Sequence, residues 1–146
     1  MSEANKFLEQ MKAAGAVITP GVSDRAIQLT QMSMQQMRAA LIPMNMIEFY
    51  KTANSIMLGD ANVFGPLETE QSAKYPVPSI VEINRDISHL PQMRGKTVFA
   101  RNSLFWFAFD AFGNAYMLDN LSGNALRKYE NDPFKAMSDC LAVGKF

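Results

Sequence analysis

The stretch from Thr97 to Asn120, TVFARNSLFWFAFDAFGNAYMLDN, constrains the fold more than any other part of the chain. It reads as strands joined by tight turns, and the run Leu104 to Phe109 is apolar at every position. Strand side chains alternate between faces, so Leu104, Trp106 and Ala108 point one way and Phe105, Phe107 and Phe109 the other. A strand with one wet face alternates apolar and polar residues, and this one does not. The pattern therefore predicts a second covering layer: helices, a long loop, another subunit or a partner.

The sequence around that run supplies helices. Ser2 to Ala14 has helical spacing, with Phe7, Leu8 and Met11 on its apolar side. Thr19-Pro20-Gly21 reads as a turn. Ser23 or Asp24 can cap a second helix whose stripe is Ile27, Thr30, Met34, Met37 and Leu41, with Pro43 as its stop. A third helix is predicted from about Met44 to Ala53, with Ile47, Tyr50 and Phe49 inward and Asn54 ending it. Short strands follow at Ile56 to Leu58 and Asn62 to Phe64. The polar segment Leu67 to Pro78 reads as an excursion loop, and Ser79 with Glu82 as the capping box of a short helix. His89 to Lys96 is read as a turn region.

Four strands come next, at Val98 to Arg101, Leu104 to Asp110, Ala115 to Asp119 and Ala125 to Tyr129, with Gly113 supplying a positive φ. Asp132 and Pro133 open a terminal helix with Phe134, Met137 and Leu141 on its buried side. This order places the chain in the α+β class, with a mainly antiparallel sheet flanked by helices. Residues 1–22 read as an N-terminal helix and turn packed on a domain spanning 23–146.

Composition excludes several function classes. At 146 residues the chain fits one domain and can bury roughly 68–70% of its unfolded surface without a disulfide or metal staple. Lys+Arg and Asp+Glu balance at 14 each, which argues against both a general nucleic-acid binder and an acidic decoy of one. The single cysteine, Cys140, has no internal disulfide partner, which fits a reducing compartment. The N-terminal residues lack the apolar run of a signal peptide, and no window has the 18 or more apolar residues of a span. The expectation is a cytoplasmic protein, monomer or weak homodimer, with neither nucleic acid nor membrane as partner.

Residue types suggest no reaction centre. His89 and Cys140 are the only pair for nucleophilic chemistry, yet Cys140 sits beside Leu141, where a buried thiol is the ordinary outcome. Met34-x-x-Met37 has a spacing that suits copper(I), but both lie on the apolar stripe of the second helix. One His and one Cys are too few soft ligands for zinc. Glu68 and Glu70 lie in the polar loop, and Asp110 and Asp119 flank a hairpin, where turn capping is their simpler role. No glycine-rich phosphate loop occurs. Arg85, Arg94, Lys96 and Arg101 lie near aromatic strands, as on a single-strand binding platform, but Asp86 and Asp110 dilute them. The expectation is no catalytic residue, no metal and no cofactor.

Several blocks resemble, in order, the SUKH superfamily, which includes bacterial immunity proteins and the yeast cell-wall-synthesis regulator family. Leu41-Ile42-Pro43 with Glu48-Phe49-Tyr50-Lys51 and Asn54 is similar to that group's "LP…(D/E)(F/Y)…NG" element, with Ser55 in place of the glycine. Val63-Phe64-Gly65 resembles its short strand and glycine, and Ile80 to Arg85 its short helix with an asparagine, here Asn84. Val98-Phe99-Ala100, Phe107-Ala108-Phe109-Asp110 with Gly113, and Tyr116-Met117-Leu118-Asp119 resemble its strands. Tyr129 to Leu141, around Phe134, is similar to its closing helix. The blocks cover roughly residues 23–142.

The resemblance implies a protein-binding domain that neutralises a cognate polymorphic toxin domain, with no catalytic residues to carry over. An aromatic cluster with a polar rim would serve such binding, and Phe64, Trp106 and Phe112 are the candidates. Two alternatives stand beside it: an intracellular regulatory or scaffold domain of the cell-wall-synthesis-regulator type, and a small-ligand-binding domain or enzyme.

Overall fold

Both faces of the aromatic arm are covered, and by different elements. The computed structural model describes residues 3–70 and 76–143. Along the chain it places α1 (Glu3–Ala13), β1 (Val17–Pro20), α2 (Asp24–Gln36), α3 (Met44–Thr52), β2 (Ala53–Leu58) and β3 (Ala61–Val63). A two-stranded ribbon, β4 (Thr69–Glu70) and β5 (Pro76–Val77), leads to α4 (Ile80–Arg85) and a 3-10 turn (Pro91–Met93). Then come β6 (Thr97–Arg101), β7 (Phe105–Phe109), β8 (Ala115–Asp119), β9 (Ala125–Tyr129) and α5 (Pro133–Val143). Among the described residues seven strands form one sheet in the order β1-β2-β3-β6-β7-β8-β9, each paired antiparallel with its neighbours. The domain is therefore α+β, an antiparallel sheet flanked by helices.

Register explains how the arm is divided. Thr97 faces Phe109, Val98 faces Ala108, Ala100 faces Phe107 and Arg101 faces Trp106, with an irregularity between Val98 and Ala100. Phe99 is the extra residue of that bulge, and its ring stacks on Phe109 at 5.3 Å. On the inner face Phe99, Phe107, Phe109, Ala115 and Tyr129 join a core with Met137, Cys140 and Leu141 of α5. Phe7 of α1 meets Phe49 of α3 at 6.3 Å and Phe134 of α5 at 5.6 Å, so three helices share one aromatic seam. On the outer face Val98, Ala108 and Leu118 pack with Met93, and Ile83, Ile87, Leu90, Trp106 and Tyr116 lean on them. The outer cover is thus α4 and the 3-10 turn, and it stops short of the strand's start: Trp106 is half-buried and Leu104 exposed.

The expected caps are in place. Ser23 accepts from the Ala26 N–H at 3.2 Å, Ser79 and Glu82 form the capping box of α4, and Asp132 accepts from the Lys135 N–H at 3.1 Å. Gly113 has the expected positive φ, +94°.

Several expectations are corrected. Thr19 and Pro20 are not a turn: they close β1, which pairs with β2 at the sheet's edge, where a proline lacking an N–H is tolerated. The second helix ends at Gln36, well before Pro43, because Arg38 takes a left-handed conformation (φ 59°); Leu41 leaves the stripe and is exposed. Asn54 does not terminate α3 but lies buried in β2, where its Nδ2 donates to the Leu67 carbonyl and its Oδ1 accepts from the Leu67 N–H. Phe64 lies just past the end of β3. The excursion at 67–78 contains the β4–β5 ribbon; its middle, 71–75, the expected helix start at Ser2 and the last residues, 144–146, lie outside the described residues.

Candidate partner-binding surfaces

The three aromatic candidates go to three different places. Phe64 is fully buried: the Arg101 guanidinium lies 5.3 Å from its ring centroid, and its carbonyl accepts a 2.6 Å bond from the Tyr50 hydroxyl. It offers no surface to a partner, because the chain must turn inward after β3, where the Phe64 N–H donates to the Phe99 carbonyl at 2.7 Å. Trp106 stands half-buried on the outer face. Phe112 projects from the β7–β8 turn and is 87% exposed. Trp106 lies near the start of β7 and Phe112 in the turn beyond its other end.

Trp106 lines a cleft of about 340 Å³ between the outer sheet face and α4. Ile83, Ile87 and Val98 give its apolar wall, while Glu82, Asp86 and Arg101 supply exposed charge. Tryptophan and arginine on adjacent paired positions are the types that dominate binding hot spots. Arg101 was grouped by sequence with Arg85, Arg94 and Lys96; of these only Arg101 lines this cleft.

The Phe112 turn is held by one carboxylate. Asp110 accepts from the Phe112 N–H at 2.9 Å, the Asn114 N–H at 3.0 Å, the Asn114 side chain at 3.1 Å and the Tyr116 hydroxyl at 2.9 Å. Burial pushes this carboxyl up, but those hydrogen bonds outweigh it and hold it below the usual carboxylate range. Burial, then the bond to Asp110 and its charge, push the Tyr116 phenol up. Asn45 of α3 donates to the Gly113 carbonyl at 3.1 Å and to Asn131 Oδ1 at 3.4 Å, tying together the β7–β8 turn, the helix and the turn that precedes α5. A Cβ on Gly113 would lie 2.9 Å from both amides, so glycine is required for that approach as well as for the φ.

Beside the turn lies a recess of about 400 Å³ whose lining includes Met44, Asn45, Glu48, Phe112 and Asn131. Met44 is 71% exposed. Sequence reading missed Met44 and Glu48 as surface elements. The available signal was that α3 (Met44, Met46, Ile47, Phe49, Tyr50) is apolar on more sides than one core can cover.

The residues considered for chemistry are not brought together. Cys140 is buried in α5 against the inner face, and burial pushes its thiol up, which suppresses the thiolate. His89 is exposed in the connection after α4, on the outer side. Asp110 and Asp119 each organise their own turn, the latter accepting from the Leu121 N–H at 2.7 Å. Met34 is in the core, where Thr97 reaches its sulfur. Among the described residues no group of three or more His, Cys, Asp or Glu is placed to hold a metal ion. No described helix is long and apolar enough to cross a membrane. A larger hollow, about 530 Å³, lies between α1 and β1 and holds neither aromatic candidate.

Compared with models of known protein families and with curated proteins, the sequence matches none.

Proposed function

We propose that this chain is a non-enzymatic protein-binding domain of the SUKH-like immunity type, which captures and neutralises a cognate polymorphic toxin domain in the cytoplasm. The observation that carries the reading is Phe112: an aromatic ring 87% exposed on a turn tied by hydrogen bonds to Asp110 and Asn45. An ordered, unpacked aromatic costs little entropy to bury, which suits it as an anchor. Trp106 with Arg101, on the outer face, is a second anchor of the same kind. The order of sequence blocks from Leu41 to Leu141 supports the family reading.

The test is co-expression with any polymorphic toxin domain that is found in the reading frames beside this gene. Growth should be restored and a stable complex should co-purify, while Phe112→Ala and Trp106→Ala should each weaken it. A toxin that stays lethal, with no complex formed, overturns the immunity reading.

One further reading has an observation of its own. The hollow between α1 and β1, with Leu8, Ala16 and Ile18 as apolar lining and Asn5, Thr19 and Thr52 as polar lining, has the size and make-up of a small-ligand site. A thermal-shift screen in which an Ile18→Trp variant abolishes a wild-type ligand response would favour it over protein binding.

A further inference from the structure

We infer that the Phe112 corner is built for a partner that presents cationic side chains around an apolar recess; this rests on the protein-binding reading above and names the partner's chemistry. Phe112 and Met44 belong to different elements, the β7–β8 turn and the first turn of α3, yet they border the same recess and expose 87% and 71% of their surface. Two large apolar side chains that share a recess and stay in water mark a contact surface.

The charge on the described lining of the recess has one sign. No Lys, Arg or His is among the described residues that line the recess, and its one charged member is the exposed Glu48. Asp110 sits under the turn with its carboxyl held in the ionised form by the bonds from Asn114, Tyr116 and Phe112. Asn131, at the recess wall, is flanked in the chain by Glu130 and Asp132. Two carboxylates elsewhere are ion-paired, Asp24 with Lys51 and Asp139 with both Arg127 and Lys135. Glu48 has no such ion pair among the described residues. In a chain of zero net charge, the described lining of this recess carries a single negative charge and no positive one.

An acidic surface approaching it would place like charges together, whereas lysines or arginines rimming a socket for Phe112 would be steered in and fixed in register. A second copy of this chain is a poor occupant, because a two-fold contact sets the same patch, and so Glu48, against itself.

The test uses as probe any polymorphic toxin domain found in the reading frames beside this gene, purified and assayed at 50 mM and 500 mM NaCl. Phe112→Ala should weaken binding about 30-fold at both salt concentrations, the loss of one hot-spot anchor. Glu48→Lys should slow association about 10-fold at low salt, and this deficit should shrink at high salt, because screening removes steering. Both variants should melt with the wild type. Wild-type affinity for both variants, or faster association of Glu48→Lys, overturns the inference; a stable wild-type complex in that case leaves the protein-binding reading to rest on Trp106 and Arg101 instead of Phe112. A dimer of the chain alone that Phe112→Ala abolishes also overturns it, by naming the second copy as occupant. No complex with the wild type overturns the reading itself, and the inference with it.

Discussion

Asp110 shows how much one side chain can organise. Its carboxylate satisfies two backbone N–H groups and two side chains in the β7–β8 turn. Those bonds hold its folded pKa below the unfolded value, which is about 3.9. A group with a depressed folded pKa contributes stability that is present above its unfolded pKa and lost as pH falls through the folded one. Urea midpoints at pH 7 and at pH 3 check this: Asp110→Asn should be less stable than wild type at pH 7, and the gap should narrow in acid. A gap that does not change between the two pH values would show that the charge is irrelevant. Gly65 is a second single-residue constraint, of steric origin. A Cβ there would fall 1.8 Å from the Asn54 carbonyl oxygen, which is backbone and cannot swing away. Gly65→Ala should destabilise the domain by about 2–3 kcal/mol in urea unfolding, the cost of forcing an overpacked contact apart.

At the scale of elements, α4 is held to the sheet by a polar clamp as much as by its isoleucines. Buried Asn84 donates to the Val98 and Ile80 carbonyls and accepts from the Val98 N–H, each at 2.8 Å. It occupies the edge of β6 beyond the end of β3, where no described strand reaches. Asn84→Leu should leave both Val98 groups without partners and cost about 3 kcal/mol, read as a lower urea midpoint. Trp106 emission should shift in the native state, because α4 walls its cleft.

The sequence reading did well where local signals are strong. Ser79-x-x-Glu82, Asp132-Pro133 and the Gly113 hairpin each announce themselves within four residues, and all three are present. It failed where the deciding term was distant. Thr19 and Pro20 become strand because β2, over 30 residues away, supplies a partner, and Ser55 ties Thr19 in at 2.8 Å. Arg38 ends α2 early in a conformation that no arginine advertises. Phe64 and Phe112 are alike in composition and opposite in fate, since residue type says nothing of whether a turn points inward or outward.

For the whole molecule, the two faces of the sheet imply different behaviour on opening. Cys140 lies in the inner core, and burial pushes its thiol up. Labelling by an aromatic disulfide reagent should therefore be negligible in the native state and should track global unfolding, rising in parallel with the loss of far-ultraviolet ellipticity. Labelling that runs ahead of that loss would reveal local detachment of α5. Phe112→Ala, in contrast, removes a ring with almost nothing to pack against. Its unfolding free energy should stay within about 0.5 kcal/mol of wild type, which makes it a clean probe of function. The sheet's free edges also differ. β1 ends in Pro20 with an irregular register, and β9 carries Arg127 and Lys128, both devices that discourage strand-to-strand aggregation.

Trp106 is the chain's one tryptophan, and it stands where the outer cover gives out. The molecule therefore carries its own optical gauge at the margin of α4. Quenching by iodide would report how often that margin breathes, and a blue shift on mixing would say, with no label attached, that something had closed over it.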